Sequence, residues 1–288
     1  MCSGRYMTQQ LRYRVGTPMM ANNLLTAREL QMTRKSGKKT ATTAICAFDA
    51  DNVLIRGKNL VDELIGKYSF VKLILLQGLG KEPTETQTRI VDAVLVTIME
   101  HGLVPSAVAT RLTWHGAPES FQGAIAAGLL GVGDRYAGTA SECGAILERI
   151  VAAPEPARKQ KAIDEVRGYR DGGRPIPGFG HPIHRDKDRR VDRLIEVSEK
   201  AGASGDYIAA MRLLETAANE VLGRKLVVNV SAAIAAVLAE AGVPASMMRG
   251  IVLTARCAGL VGHLHEEMIN PAGHALWVAA QDGVDSGS

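Results

Sequence analysis

The stretch TETQTRIVDAVLVTIME, residues 84–100, decides the fold. It follows Pro83 and carries Ile90, Val91, Val94, Leu95 and Ile98 on one broad face, with polar residues between them. Apolar residues spaced three and four apart form the stripe that an amphipathic helix buries, and a proline suits the start of such a helix. The same period continues on both sides. Upstream it covers residues 61–77 and closes at Gly78. Downstream it covers 105–114, 118–130, 139–152, 157–170 (before a Gly172-Gly173 cap), 187–201, 206–222, 230–241 and 245–268. Residues 43–55 differ: they alternate loosely around Asp49-Ala50-Asp51-Asn52 and read as a small β-hairpin. Residues 1–40 lack a sustained apolar period, apart from a short helix near 24–32, and read as a flexible tail. The expectation is an all-α protein of roughly ten helices with a short N-terminal β-hairpin and no internal repeat.

Composition agrees and narrows the function. Apolar residues make up 46% and aromatics only 4%, so Ala, Leu, Val and Ile build the core, a balance that leans to helix. The net charge is +4, and the one dense basic run, residues 34–39, lies in the polar tail; no nucleic-acid partner is expected. Cys2, Cys46, Cys143 and Cys257 form no CxxC pair, so neither a metal site nor a disulfide framework is indicated. Free thiols fit a reducing, cytoplasmic setting. The longest apolar run, 226–239, is interrupted by Asn229 and too short to span a bilayer, so no membrane association is expected. The first 28 residues carry arginines and no acid, as transit peptides do, but read as a disordered tail.

Histidines and glycines gather between the helices, at His101-Gly102, His115-Gly116, Gly178-Phe179-Gly180-His181 and Gly262-His263. The richest junction is Pro177-Gly178-Phe179-Gly180-His181-Pro182-Ile183-His184-Arg185-Asp186-Lys187-Asp188-Arg189-Arg190. Two glycines let backbone approach a ligand closely. A histidine there can donate to a carbonyl that becomes an oxyanion, and arginines clamp carboxylates or phosphates. On residue types alone, a solvated surface turn accounts for the segment equally well.

This loop resembles the Gly-x-Gly-His, basic, Asp-x-Arg signature of the citrate synthase and citryl-CoA lyase superfamily, and further blocks agree in order. Val53-Leu54-Ile55-Arg56-Gly57-Lys58-Asn59-Leu60 resembles its hairpin and "RG…DL" segment. Glu100-His101-Gly102-Leu103-Val104-Pro105-Ser106 resembles "DHELNAS". Gly131-Val132-Gly133-Asp134-Arg135-Tyr136-Ala137-Gly138 resembles "GPLHGG", and more closely the "GDRFGG" of the lyase module of ATP-citrate lyase. Thr254 to His263 resembles the final "R..G..AH" helix. The resemblance implies a two-domain helical homodimer, with residues 41–137 and 239–288 as the large domain and 138–238 as a small one that closes over the ligand. It implies catalytic roles for His181 (on the keto-acid carbonyl), Tyr136 (on the thioester enolate) and the position of Ser231. It assigns His101, Arg190 and Arg256 to the keto acid. Gly178, Gly180, Arg185, Arg224 and Lys225 go to coenzyme A. The implied ligands are a small acyl-CoA thioester, as substrate rather than bound cofactor, and a keto acid.

Three departures bear on the chemistry. Tyr136 stands where citrate synthases have a histidine. Ser231, in Val228-Asn229-Val230-Ser231, stands where the family's "NVD" supplies its proton-transferring Asp, and a serine is no base at neutral pH without a partner. Asp134 is the carboxylate to look for near it. Residues 270–277 lack the further arginine that citrate synthases place there, leaving His274 as a substitute. The implied activity is cleavage of citryl-CoA to acetyl-CoA and oxaloacetate; condensation by a synthase, or a non-catalytic CoA-ester-binding subunit, are the alternatives.

Overall fold

The computed structural model describes residues 42–180 and 188–285. The tail with its helix at 24–32, and the site residues His181 and Arg185, lie outside the described residues. Met1–Ala44 and Ile45–Ser288 separate as two units, and the elements below belong to the second.

It opens with three short antiparallel strands in the order β1 (Cys46–Phe48), β2 (Val53–Ile55), β3 (Lys58–Asn59), with Cys46 opposite Ile55 and Ile55 opposite Lys58. The expected hairpin is thus extended by one strand. The β1–β2 turn is closed by Asp49, whose Oδ1 accepts from the backbone of Asp51 and Asn52 at 2.9 and 2.7 Å. The β2–β3 turn puts Arg56 (φ 49°) and Gly57 (φ 81°) in the left-handed region, as a two-residue hairpin of this hand requires. Arg56 offsets that strain by donating from Nε and Nη2 to the Gln77 carbonyl, at 3.0 and 2.5 Å.

Eleven α-helices follow among the described residues: α1 (Phe70–Leu79), α2 (Glu85–Met99), α3 (Pro105–Gly116), α4 (Phe121–Leu130), α5 (Thr139–Val151), α6 (Arg158–Asp171), α7 (Arg189–Lys200), α8 (Asp206–Leu222), α9 (Val230–Glu240), α10 (Ala245–Ile269) and α11 (Gly273–Asp282). The expected helix over 61–77 is broken. Leu60–Leu64 is a single wide turn, Ile65 is extended, Gly66 takes φ 76°, and Ser69 restarts the helix by accepting from Lys72 N. Helix α2 begins on a capping box: Thr84 Oγ1 accepts from Gln87 N at 3.1 Å, and Gln87 Oε1 accepts from Thr84 N at 2.9 Å.

The core centres on α9. Nine of its eleven residues are buried, five of them alanines, so it is surrounded by α2, α5, α7, α8 and α10 at close range. Ile90, Val91, Val94 and Leu95 of α2 are buried as the stripe demands. Helix α10 lies across α2, α3, α4 and α5, and α11 packs on α3. Burial pushes the Cys143 thiol up to about 12, so it serves as a small core residue. Among the described residues no single helix is long and apolar enough to cross a membrane.

Candidate active site

Helix α2 ends at Met99, and residues 100–104 lead from it into α3. The buried Arg256 of α10 fills the space beneath this junction. Its Nη1 donates to the Met99 carbonyl at 3.0 Å and the Ile98 carbonyl at 3.5 Å, and Nη2 donates to Ser106 Oγ at 3.2 Å. The guanidinium therefore caps the last carbonyls of α2 and is satisfied as a buried cation must be. Burial lowers its pKa from the ordinary arginine value, with Glu100 opposing the shift. Among the described residues no carboxylate lies within ion-pair distance of it, and Glu100 acts on it from further away. Arg256 and His101 line one cavity of about 70 Å³, whose other walls include Ile98, Val104, Val132 and Val252.

Arg190, in the first turn of α7, reaches the same place. Asp188, buried, caps α7 by accepting from Arg190 N at 3.1 Å and grips the guanidinium in a bidentate pair at 3.0 and 2.8 Å. The free edge, Nη1, lies 3.4 Å from His101 Nδ1. An arginine has only donors, so Nδ1 is the acceptor and the ring proton sits on Nε2. Partial desolvation, then the Arg190 and Arg256 cations, lower the His101 pKa, against the raising pull of Asp188 and Glu100. His101 is thus a neutral imidazole with an N–H to offer a ligand oxygen.

The glycine loop and the Val-Asn-Val-Ser segment also meet. Phe179 bridges to Val228, Gly180 N donates to the Val227 carbonyl at 2.8 Å, and Asn229 N donates to the Gly178 carbonyl at 3.0 Å. Asn229 works twice: its Nδ2 holds the Gly180 carbonyl at 2.9 Å, and its Oδ1 caps α9 by accepting from Ser231 N at 2.9 Å. Gly178 (φ 84°) and Gly180 (φ 77°) are both left-handed. The close approach that Gly178 makes is to α9, where a Cβ would stand 2.7 Å from that of Ala232. Ser231 is the second residue of α9, half-buried beside this strap. Asp188, Val227 and Val228 share one cleft, which joins the strap to the Arg190 anchor.

Arg224 and Lys225 are exposed in the turn after α8, beyond the left-handed Gly223. Tyr136 lies in the wide turn Asp134–Gly138 that leads into α5. The Asp134 carboxylate is exposed and pairs with Arg249 at 2.5 Å. Residue-by-residue reading gave no role to Asp188, Glu100 or Arg111, and weighed His263 as a structural helix residue with no catalytic part. The signal for Asp188 was present, two residues before an arginine in the signature loop; the other three contact one another across more than 150 residues. Among the described residues no group of His, Cys, Asp or Glu is arranged to hold a metal ion.

Comparison with known proteins places the chain in a family. The citryl-CoA lyase of Hydrogenobacter thermophilus superposes with a TM-score of 0.72 at 31% identity, covering 81% of this chain and 88% of that one. A protein of Mycobacterium tuberculosis provisionally named citrate synthase 2 is 30% identical over 190 residues, 65% of this chain and 49% of that protein. The ATP citrate lyase of Methanothrix soehngenii, solved with citrate and coenzyme A, shares the fold with a TM-score of 0.68 at 21% identity over 92% of this chain and 44% of that one. The chain spans about half the length of the curated relatives it matches (49% and 55%). Residues 58–276 match the family described as citrate synthase, C-terminal domain, and the chain belongs to the citrate synthase family.

Proposed function

We propose that the chain cleaves citryl-CoA, or a closely related hydroxyacyl-CoA, to acetyl-CoA and oxaloacetate. The observation that carries this reading is the convergence of His101, Arg190 and Arg256 from three elements distant in sequence. One neutral N–H donor between two guanidinium groups is what a carboxylate-flanked carbonyl requires. The 31% identical lyase, nearly all of which this chain covers, favours cleavage over condensation.

In the proposed reaction the tertiary hydroxyl loses its proton and its oxygen pair closes to a keto carbonyl. The carbon–carbon bond breaks, its electrons pass to the thioester as an enolate, and a proton adds to the enolate carbon. His181 and the His101 Nε2–H receive the keto-acid oxygens, Arg190 and Arg256 hold carboxylates, and the Tyr136 hydroxyl serves the enolate oxygen. Gly178, Gly180, Arg185, Arg224 and Lys225 attend the coenzyme A moiety. Ser231 occupies the position of the family's proton-transferring Asp but cannot ionise, so water carries the proton there. Closure of residues 138–238 over the remainder, a cytoplasmic homodimer, and the absence of nucleic-acid and membrane partners complete the proposal.

A second reading rests on one observation. Asp134, the carboxylate sought near Ser231, is paired with Arg249, which favours a CoA-ester-binding subunit without turnover. Incubating the purified protein with citryl-CoA and separating the products distinguishes the two. Acetyl-CoA and oxaloacetate in equal amounts support the lyase; intact citryl-CoA bound to folded protein supports the binding subunit.

A further inference from the structure

The face of α10 at Arg256, Gly259 and His263 runs along the end of α2, with spacings of three and four. Gly259 makes the approach: a Cβ there would stand 2.0 Å from the Met99 carbonyl oxygen. One turn further, His263 Nε2 lies 2.9 Å from Glu100 Oε2. The other oxygen of Glu100 accepts from the backbone N–H groups of His101 (2.9 Å) and Gly102 (2.5 Å), the latter left-handed at φ 73°. The carboxylate thus folds the backbone of the His101 turn around itself and anchors it to α10.

The tautomer of His263 is fixed from behind. Buried Arg111 of α3 donates from Nε to His263 Nδ1 at 3.2 Å, with Nη2 at 3.1 Å from the same nitrogen. Arg111 is itself held by Glu267 at 2.7 Å and by Glu266. Since a guanidinium cannot accept, His263 Nδ1 carries a lone pair and Nε2 carries the proton, which stands within ion-pair distance of Glu100 Oε2 but off the line of a well-formed hydrogen bond.

We propose that Glu100 and His263 are positioning residues that set the place and orientation of the His101 imidazole. This rests on the reading above that His101 meets the keto acid. It adds that the placing is done by the contacts of Arg111 with His263 and of His263 with Glu100.

The test uses the full chain and four variants, H263L, H263Q, E100Q and H101Q. A glutamine at 263 keeps a donor near Nε2, whereas leucine removes it; a glutamine at 100 turns an acceptor into a donor facing another donor. Oxaloacetate and free coenzyme A are titrated separately by calorimetry. Losing this contact with the Glu100 carboxylate should weaken oxaloacetate binding about tenfold in H263L and E100Q. H263Q should recover most of it, and coenzyme A binding should stay unchanged throughout. The ¹⁵N signals of the His101 ring, assigned with H101Q, give a readout that needs no ligand and moves in H263L and E100Q but not in H263Q. Unmoved His101 signals in folded H263L and E100Q would overturn the proposal, as would equal losses for H263L and H263Q. Moved signals in a protein that does not bind oxaloacetate would uphold the positioning and sink the role given to His101.

Discussion

Arg190 Nη1 lies 3.4 Å from His101 Nδ1, across 89 residues of chain, and this contact joins the Asp-x-Arg motif to the junction between α2 and α3. Partial desolvation first, and then the Arg190 cation beside the ring, hold the His101 pKa below the ordinary 6.5. A histidine whose folded pKa is depressed contributes stability that is present above the unfolded pKa and is lost as pH falls through the folded one. Replacing Arg190 by Gln removes one lowering charge, so the His101 midpoint should move upward. An NMR titration of the ring reads this directly, and an unmoved or lowered midpoint would contradict the contact.

Arg256 should matter to the fold as well as to the ligand. An R256M variant leaves the Ile98 and Met99 carbonyls and the Ser106 hydroxyl without their donor, which should cost about 1–3 kcal/mol. R256K keeps the charge but not the planar fork, and should also be less stable than the parent. Urea unfolding followed by circular dichroism gives both values.

The two glycines of the signature loop should respond differently. In G178A a side chain must displace Ala232, whose Cβ, Cα and N would lie 2.7, 3.0 and 3.1 Å away, in a left-handed backbone. In G180A the nearest neighbour is Leu226 Cδ2 at 4.0 Å, so only the conformational strain applies. That strain is about 1–2 kcal/mol, and G178A should lose clearly more. Equal denaturation midpoints for the two variants would contradict the packing of the loop against α9.

Glu240, at the end of α9, caps α8 from outside. Its carboxylate accepts from Gly205 N (3.0 Å), Tyr207 N (2.7 Å), Ile208 N (3.2 Å) and Ser204 Oγ (2.9 Å). E240A should cost about 0.5–2 kcal/mol, as loss of a helix cap does, read as a lower thermal midpoint with no loss of ligand binding.

The parts of the fold legible in the sequence were those where one helix face is apolar. The stripe of α2 and the apolar run of α9 stand where periodicity put them. The break between Leu64 and Phe70 was hidden because apolar residues continue across it while Gly66 and Ser69 turn the chain. Helix α11 was passed over because it is short and begins on Gly273. A Cβ at Gly273 would press on the His115 side chain and Glu267, a need that only the packed structure reveals. At the site, His101, Arg190 and Arg256 were legible from motif blocks. The contacts among Glu100, His263 and Arg111 were not, because they join helices far apart in the chain.

The most direct test is the rate of oxaloacetate release from citryl-CoA, coupled to malate dehydrogenase, for the wild-type protein beside S231D. An aspartate at the second position of α9 faces the positive end of the helix and fits there. The account predicts measurable cleavage by the wild type and a rate higher by about 10²–10⁴-fold in the variant, the contribution of a restored proton-transferring group. Two folded proteins that both release no oxaloacetate would contradict it.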